Sequence, residues 1–193
     1  SLSDDNLKSI GRVHDATGAR RAAERIARVF GNFSLDIIVG LPYDTPSLVR
    51  DEVRECGNLA PHVSVYELTL EEGTPLAARA ERGEIWLPSE DEVAEYMELA
   101  VDVLSEAGAE RYEVSNFARR GYECHHNIGY WTREEYPGLG AGAHSLVKTS
   151  NEGKALPAEI RFASPKDINA YIVGIKHDRR STAVPPPELP WPS

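Results

Sequence analysis

The sequence predicts an α/β fold. Helical and strand periods alternate between residues 18 and 70 at the rhythm of βαβ units, and the strand-like runs are short, β-branched and cut off by Gly or Pro. The composition agrees: 193 residues, 41% hydrophobic and 27% charged, suffice for one domain of ordinary size or two small ones.

Each element has its own warrant. Gly18 to Phe30 predicts a helix, with Ala19, Ala22, Ala23, Ile26, Val29 and Phe30 forming one buried stripe and Gly31-Asn32 ending it. Phe33 to Val39 reads as a buried strand that stops at Gly40-Leu41-Pro42. Ser47 to Leu59 predicts a second helix with Leu48, Val49, Val53 and Cys56 inward, and Val63 to Leu70 the next strand. Helix, strand, helix, strand in this order predicts a parallel sheet.

The pattern then changes. A short helix is expected from Leu76 to Arg82. Ser89-Glu90-Asp91-Glu92 is a capping box opening the strongest helical period in the chain, with Val93, Tyr96, Met97, Ala100, Val103, Leu104 and Ala107 inward and Gly108 as the stop. Arg111 to Ser115 reads as a strand. Asn116 to Thr149 shows no helical period but is dense in Gly, His, Asn and aromatics, including the buried-type residues Phe117, Tyr130 and Trp131. A last helix is expected from Ser164-Pro165 to about Ile175, and the remainder, with Pro185-Pro186-Pro187, reads as an extended tail.

Composition excludes several classes. A net charge of −10, from 31 acidic and 21 basic residues, argues against nucleic acid as the main partner, because phosphate binding needs concentrated Lys and Arg. No apolar run reaches membrane-span length and no leader pattern opens the chain, so the expectation is a soluble, cytoplasmic protein. Cys56 and Cys124, the only cysteines, cannot make a disulfide framework, a four-thiolate zinc site or an all-cysteine iron–sulfur site. The start at Ser1, with Met97 as the single methionine, reads as an excised or processed piece.

Four places could carry chemistry. Asp36 interrupts an apolar strand, and a buried carboxylate must be paired. It reads either as an acceptor for ligand hydroxyls or an amine, or as a structural Asp bonded to an Arg or a backbone turn. Cys124-His125-His126-Asn127-Ile128-Gly129-Tyr130-Trp131 offers one axial His flanked by aromatics that could cover a porphyrin, or a packed turn with Trp as core. Gly138-Leu139-Gly140-Ala141-Gly142-Ala143 matches a GxGxxA pattern without the strand, helix and acidic residue of a dinucleotide site, so its glycines are read as permitting close backbone approach. Arg12 could meet a carboxylate or phosphate, or simply be exposed.

Taken in order, several runs resemble one family. They are Ile10-Gly11-Arg12-Val13-His14; Ser34 to Pro42 with Thr45; Tyr66-Glu67-Leu68-Thr69 with Glu72-Gly73-Thr74-Pro75; Tyr112 to Ala118; Cys124 with His126 to Trp131; and Gly138 to Ser145. The chain is similar, from about Ser1 to Tyr171, to the radical S-adenosylmethionine (SAM) proteins of the oxygen-independent coproporphyrinogen III oxidase type. The His126-Asn127-Ile128-Gly129-Tyr130-Trp131 run points to their heme chaperone branch.

The resemblance implies the later part of a partial TIM-type βα barrel in residues 1–75, a smaller α+β region in 76–178, and a Pro-rich tail in 179–193. It implies that Arg12, Asp36, Thr69 and His144 lie around SAM, and that His126, Asn127, Tyr130 and Trp131 bind heme, with His126 at the iron. It implies a parent that binds heme, delivers it to acceptor proteins, uses a 4Fe-4S cluster and forms a homodimer, with membranes reached only through partners. The alternatives are a coproporphyrinogen III oxidase-type decarboxylase and a degenerate scaffold. The family's CxxxCxxC cluster run is absent from this sequence, so radical chemistry is not expected of this chain alone, and Cys124 receives no role.

Overall fold

The computed structural model describes residues 1–148 and 159–178, and the expected tail at 179–193 lies outside the described residues. It forms two compact units, Ser1–Glu123 and the described residues from Cys124 onward, each with its own packing.

The first unit contains α1 (Asp4–Ser9), α2 (Ala16–Val29), β1 (Ser34–Val39), α3 (Pro46–Leu59), β2 (His62–Glu67), α4 (Pro75–Glu81), α5 (Glu90–Glu106), β3 (Glu110–Arg111) and β4 (Asn116–Ala118). The sheet order is β1-β2-β4-β3, parallel between β1 and β2 and antiparallel elsewhere. The mixed α/β class is therefore as expected, with an all-parallel sheet replaced by one parallel and two antiparallel pairings.

Local chemistry explains the boundaries. Thr45 Oγ1 accepts the Leu48 N–H and Pro46 occupies the first turn of α3. The Ser89 capping box is complete: Ser89 Oγ accepts the Glu92 N–H while the Glu92 carboxylate accepts the Ser89 N–H. α3 and α5 pack over one face of the sheet, burying Ile37, Val39, Val53, Val63, Val65, Ala100, Val103, Leu104 and Phe117 in a single core. Gly57 lets the two helices approach, since a Cβ there would stand 2.9 Å from Leu104 Cδ2.

Several sequence expectations are corrected. The α2 stripe is mostly uncovered: Ala23 is buried, but Ile26, Val29 and Phe30 are 38%, 73% and 59% exposed. Helical period shows which residues share a face, not whether anything covers it. β1 has a neighbour on one side only among the described residues, and on the face away from the helices Asp36 is exposed rather than buried. The expected strand at 111–115 is the end of β3 and the connection into β4, with Tyr112 N–H donating to Asn116 O. The strand expected to reach Leu70 ends at Glu67, and α1 had given no signal of its own.

The second unit contains α6 (His125–Trp131), β5 (His144–Lys148), β6 (Glu159–Ala163) and α7 (Ile168–Asp178). β5 and β6 pair antiparallel from His144 opposite Ala163 to Lys148 opposite Glu159. The stretch read as lacking a helix therefore holds one; seven residues with no side-chain cap are too short to show a period. Tyr130 and Trp131, read as buried types, are 43% and 60% exposed, whereas Phe117 in the first unit is buried. The last helix starts at Ile168 rather than Ser164, with Asp167 accepting the Ala170 N–H. Gly138 has the close approach expected of its glycine run: a Cβ would strike the His144 carbonyl, and Gly138 N–H donates to Ser145 Oγ at 2.8 Å.

Candidate functional site

Strand alternation sorts the first unit's sheet into two faces. Leu35, Ile37 and Val39 on β1 and Val63 and Val65 on β2 meet the helices. The other face carries Ser34, Asp36 and Ile38 on β1, His62, Ser64 and Tyr66 on β2, and Asn116 on β4. Register lines these residues in rows. Asp36 lies opposite Ser64, which lies opposite Asn116; Ser34 lies opposite His62.

Hydrogen bonds tie the second row together. Ser34 Oγ is 2.8 Å from His62 Nδ1, His62 Nε2 is 2.8 Å from the Tyr112 hydroxyl, and Ser34 O–H donates to Asp36 Oδ1 at 3.3 Å. His62 is only 5% exposed, and its burial pushes its pKa below the ordinary 6.5 against the pull of Asp36 and Glu113. Asn116 donates to the Glu113 carboxylate.

The loop after β1 is held by a second buried group. Asn6 Nδ2 donates to Asp44 Oδ1 at 2.7 Å, Leu41 N–H donates to Asp44 Oδ2 at 2.9 Å, and Tyr43 N–H donates to Asn6 Oδ1 at 2.9 Å. Burial raises the Asp44 pKa above its usual 3.8, opposed by the hydrogen bonds from Leu41 and Asn6. Residues Gly40 to Thr45 are thereby fixed at the carboxyl end of β1, where ligands sit in parallel α/β sheets.

The candidate SAM residues fall in both units. Asp36 lines an open cleft of about 150 Å³ together with His14, Arg20, Glu55 and Cys56. Arg12 is exposed on the turn after α1, and its N–H donates to Leu7 O. Thr69 is exposed beyond the end of β2. Asp36 faces Ser64, five residues earlier, so a ligand touching both Asp36 and Thr69 must extend roughly 16 Å at strand spacing. His144 is exposed at the start of β5 in the second unit.

The four candidate heme residues all fall on α6. His126 is exposed, and its ring stands edge-on to Tyr130 with centroids 4.8 Å apart; Tyr130 in turn meets Tyr136 at 4.7 Å. An open cavity of about 120 Å³ adjoins them, lined by His125, His126, Gly129, Tyr130, Glu134, Glu135 and Tyr136. Asn127 is half-buried and Trp131 is exposed on the same helix.

An iron–sulfur cluster does not fit this chain. Cys56 and Cys124 are its only cysteines and belong to different units, too few for the three closely spaced thiolates a cluster needs, and burial pushes the Cys56 thiol up to about 12. Among the described residues no group of three or more His, Cys, Asp or Glu is arranged to hold a metal ion. No helix among them is long and apolar enough to cross a membrane.

Sequence reading missed Ser34, His62, Tyr112, Asn6 and Asp44 as a set. The alternation of His62, Ser64 and Tyr66 with Val63 and Val65 was a signal for a polar sheet face. Nothing local linked His62 to Tyr112, fifty residues away.

Known proteins place these features in context. The chain is 40% identical over 176 residues to the heme chaperone HemW of Lactococcus lactis, covering 90% of this chain and 44% of that protein. It is 43% identical over 145 residues to the heme chaperone HemW of Mycobacterium tuberculosis, covering 73% of this chain and 37% of that protein. It is 36% identical over 183 residues to the mitochondrial radical S-adenosyl methionine domain-containing protein 1 of Mus musculus, covering 93% and 41%. Its structure is similar to the radical SAM enzyme coproporphyrinogen III oxidase (HemN) from Escherichia coli, with a TM-score of 0.61 at 15% identity over 90% of this chain and 41% of that one, a likeness of fold alone. No family model matches. The chain spans less than half the length of these curated relatives. With ordered identity over most of its residues, it is similar to the HemW-like radical SAM proteins over the part of their length that it spans.

Proposed function

We propose that this chain is the heme-contacting and later barrel portion of a heme chaperone, whose whole form binds heme and passes it to acceptor proteins. Residues 1–75 correspond in this reading to the later part of a TIM-type barrel, 76–178 to the region that follows it, and 179–193 to a tail. The observation that carries the heme assignment is an exposed imidazole on α6 edge-on to exposed Tyr130, with open space next to it and exposed Trp131 on the same helix. Exposed aromatics at this density suit a flat apolar ligand, and an imidazole suits its iron.

Magnitude decides the mode. A 120 Å³ cavity falls well below the roughly 300 Å³ of a small-molecule pocket, so a porphyrin lies against α6 instead of being enclosed. His126 then offers its ring nitrogen to the iron, Tyr130 and Trp131 cover the porphyrin face, and Asn127 holds a polar edge. Such surface binding is reversible, which a carrier needs.

SAM is the second proposed ligand, with Asp36 accepting from its hydroxyl or amino groups and Arg12 and Thr69 as further contacts; His144, in the second unit, is proposed for it on the family resemblance alone. When bound beside a cluster, SAM supplies radical chemistry; this chain has no residues for the cluster, so its own part is binding and orientation. Oxidative decarboxylation of a porphyrinogen is the competing activity for the parent; a homodimeric assembly of the heme-binding parent is a further part of this reading.

The test is a hemin titration of the 193-residue chain followed by its Soret band. Wild type binds with a shifted band, and His126→Ala changes the band and weakens binding about tenfold or more, as expected for a lost axial ligand. Identical spectra and affinities in the two proteins would remove His126 from the site.

A further inference from the structure

The polar face of the sheet carries an arrangement that the heme and SAM readings do not use. Asp36, when ionised, only accepts hydrogen bonds, so the Ser34–Asp36 contact at 3.3 Å, where it is made, takes the single Ser34 hydroxyl proton. Ser34 Oγ must then accept from the His62 ring at 2.8 Å, which places a proton on Nδ1. A neutral ring protonated at Nδ1 has a bare Nε2, and the Tyr112 hydroxyl 2.8 Å away donates to it. Each step fixes the next.

We infer that Tyr112, His62 and Ser34 form a directional hydrogen-bond relay that positions the Asp36 carboxylate, holding Oδ1 and leaving Oδ2 for a ligand hydroxyl or ammonium donor. His62 is thus a positioning residue, acting on a ligand through Ser34 and Asp36. The ligand part rests on the reading of Asp36 as a SAM contact; the relay itself does not.

The relay has a built-in pH dependence. A second proton on His62, at Nε2, forces the Tyr112 hydroxyl to turn its own proton elsewhere and sets a positive ring beside Asp36, weakening the field that Asp36 offers a cationic donor. The titratable groups facing His62 are Asp36 from β1 and Tyr112 and Glu113 from the β3–β4 connection, while β4 places Ala118 opposite it. Both carboxylates favour the charged ring, and the low exposure of His62 opposes it.

The experiment is NMR on the 193-residue chain. Long-range ¹H–¹⁵N correlation reads the His62 tautomer, and the ¹³Cγ shift of Asp36 is followed against pH in wild type, Ser34→Ala and Tyr112→Phe, each first checked for native amide dispersion. The relay requires an Nδ1-protonated neutral ring and an Asp36 inflection at the His62 midpoint. Ser34→Ala reduces that shared inflection to the part the ring's charge carries through space and releases the ring from the Nδ1-protonated tautomer, while Tyr112→Phe moves the His62 midpoint and keeps the full inflection. A neutral ring protonated at Nε2, or an Asp36 signal blind to His62, overturns the relay. Calorimetry with SAM at pH 7.5 separates the two claims. Ser34→Ala weakens binding about two- to tenfold, the value of one hydrogen bond, and Asp36→Asn weakens it more. Absence of binding to wild type, or equal binding by Asp36→Asn, sinks the SAM reading and leaves the relay to the NMR result. Asp36-dependent binding with a failed NMR signature sinks the relay and keeps the SAM reading.

Discussion

Burial pushes the His62 imidazole below 6.5 while Asp36 and Glu113 pull it back, and the net direction is down. A folded-state pKa below the unfolded one means the unfolded chain binds more protons between the two values. The His62 contribution to stability is therefore present above about 6.5 and lost as pH falls through the lower folded value. Asp44 acts with the opposite sign, since its raised pKa makes the ionised form the costly one and acidification relieves that cost. Urea melts from pH 7.5 to 5 are expected to show wild type losing more stability than His62→Gln, with Asp44 common to both and cancelling. A steeper loss in His62→Gln would contradict the assignment. None of this was legible from residue types alone. His62 and Asp44 are ordinary in sequence, and only the fold brings Tyr112 and Asn6 to them.

At the scale of elements, much was readable where the cause is local. The Ser89 capping box and the α5 stripe from Tyr96 to Leu104 stand as expected, because the cap bonds and the helical period are written within a few residues. Replacing Ser89 by Ala removes one side of that box and is expected to cost about 1 kcal/mol in chemical denaturation. α3 and α5 give a sharper test. Gly57→Val puts a branched side chain against Leu104 Cδ2 and Ala107, and overpacking of this kind costs about 1–3 kcal/mol. A variant as stable as wild type would show that the helices do not meet closely there. Exposure was less legible. Ile26, Val29 and Phe30 share a helix face by sequence, yet whether that face is covered depends on elements elsewhere. α6 escaped notice because Gly129 sits in the middle of seven residues with no side-chain cap.

For the whole molecule, the sheet and the relatives tell one story. β1 has one strand neighbour among the described residues, its outer edge is open, and the adjoining α2 face shows Ile26, Val29 and Phe30 to solvent. An uncovered edge strand invites strand addition by another chain. Sedimentation velocity is expected to show concentration-dependent association of wild type, reduced by Ile38→Lys on β1; equal association in both would place the contact elsewhere. The α/β class was legible in the alternation of periods, and the family in ordered runs such as Ser34 to Pro42. The separation into two units was not, because no linker composition marks Glu123 and Cys124.

The central claim is that the α6 surface takes the porphyrin. Paramagnetic broadening by hemin, mapped on amide resonances of the wild-type chain, tests it without any substitution. Signals of His126, Tyr130 and Trp131 are expected to vanish first, while those of β1 and β2 persist. Broadening centred on the sheet of the first unit, with α6 untouched, would contradict it.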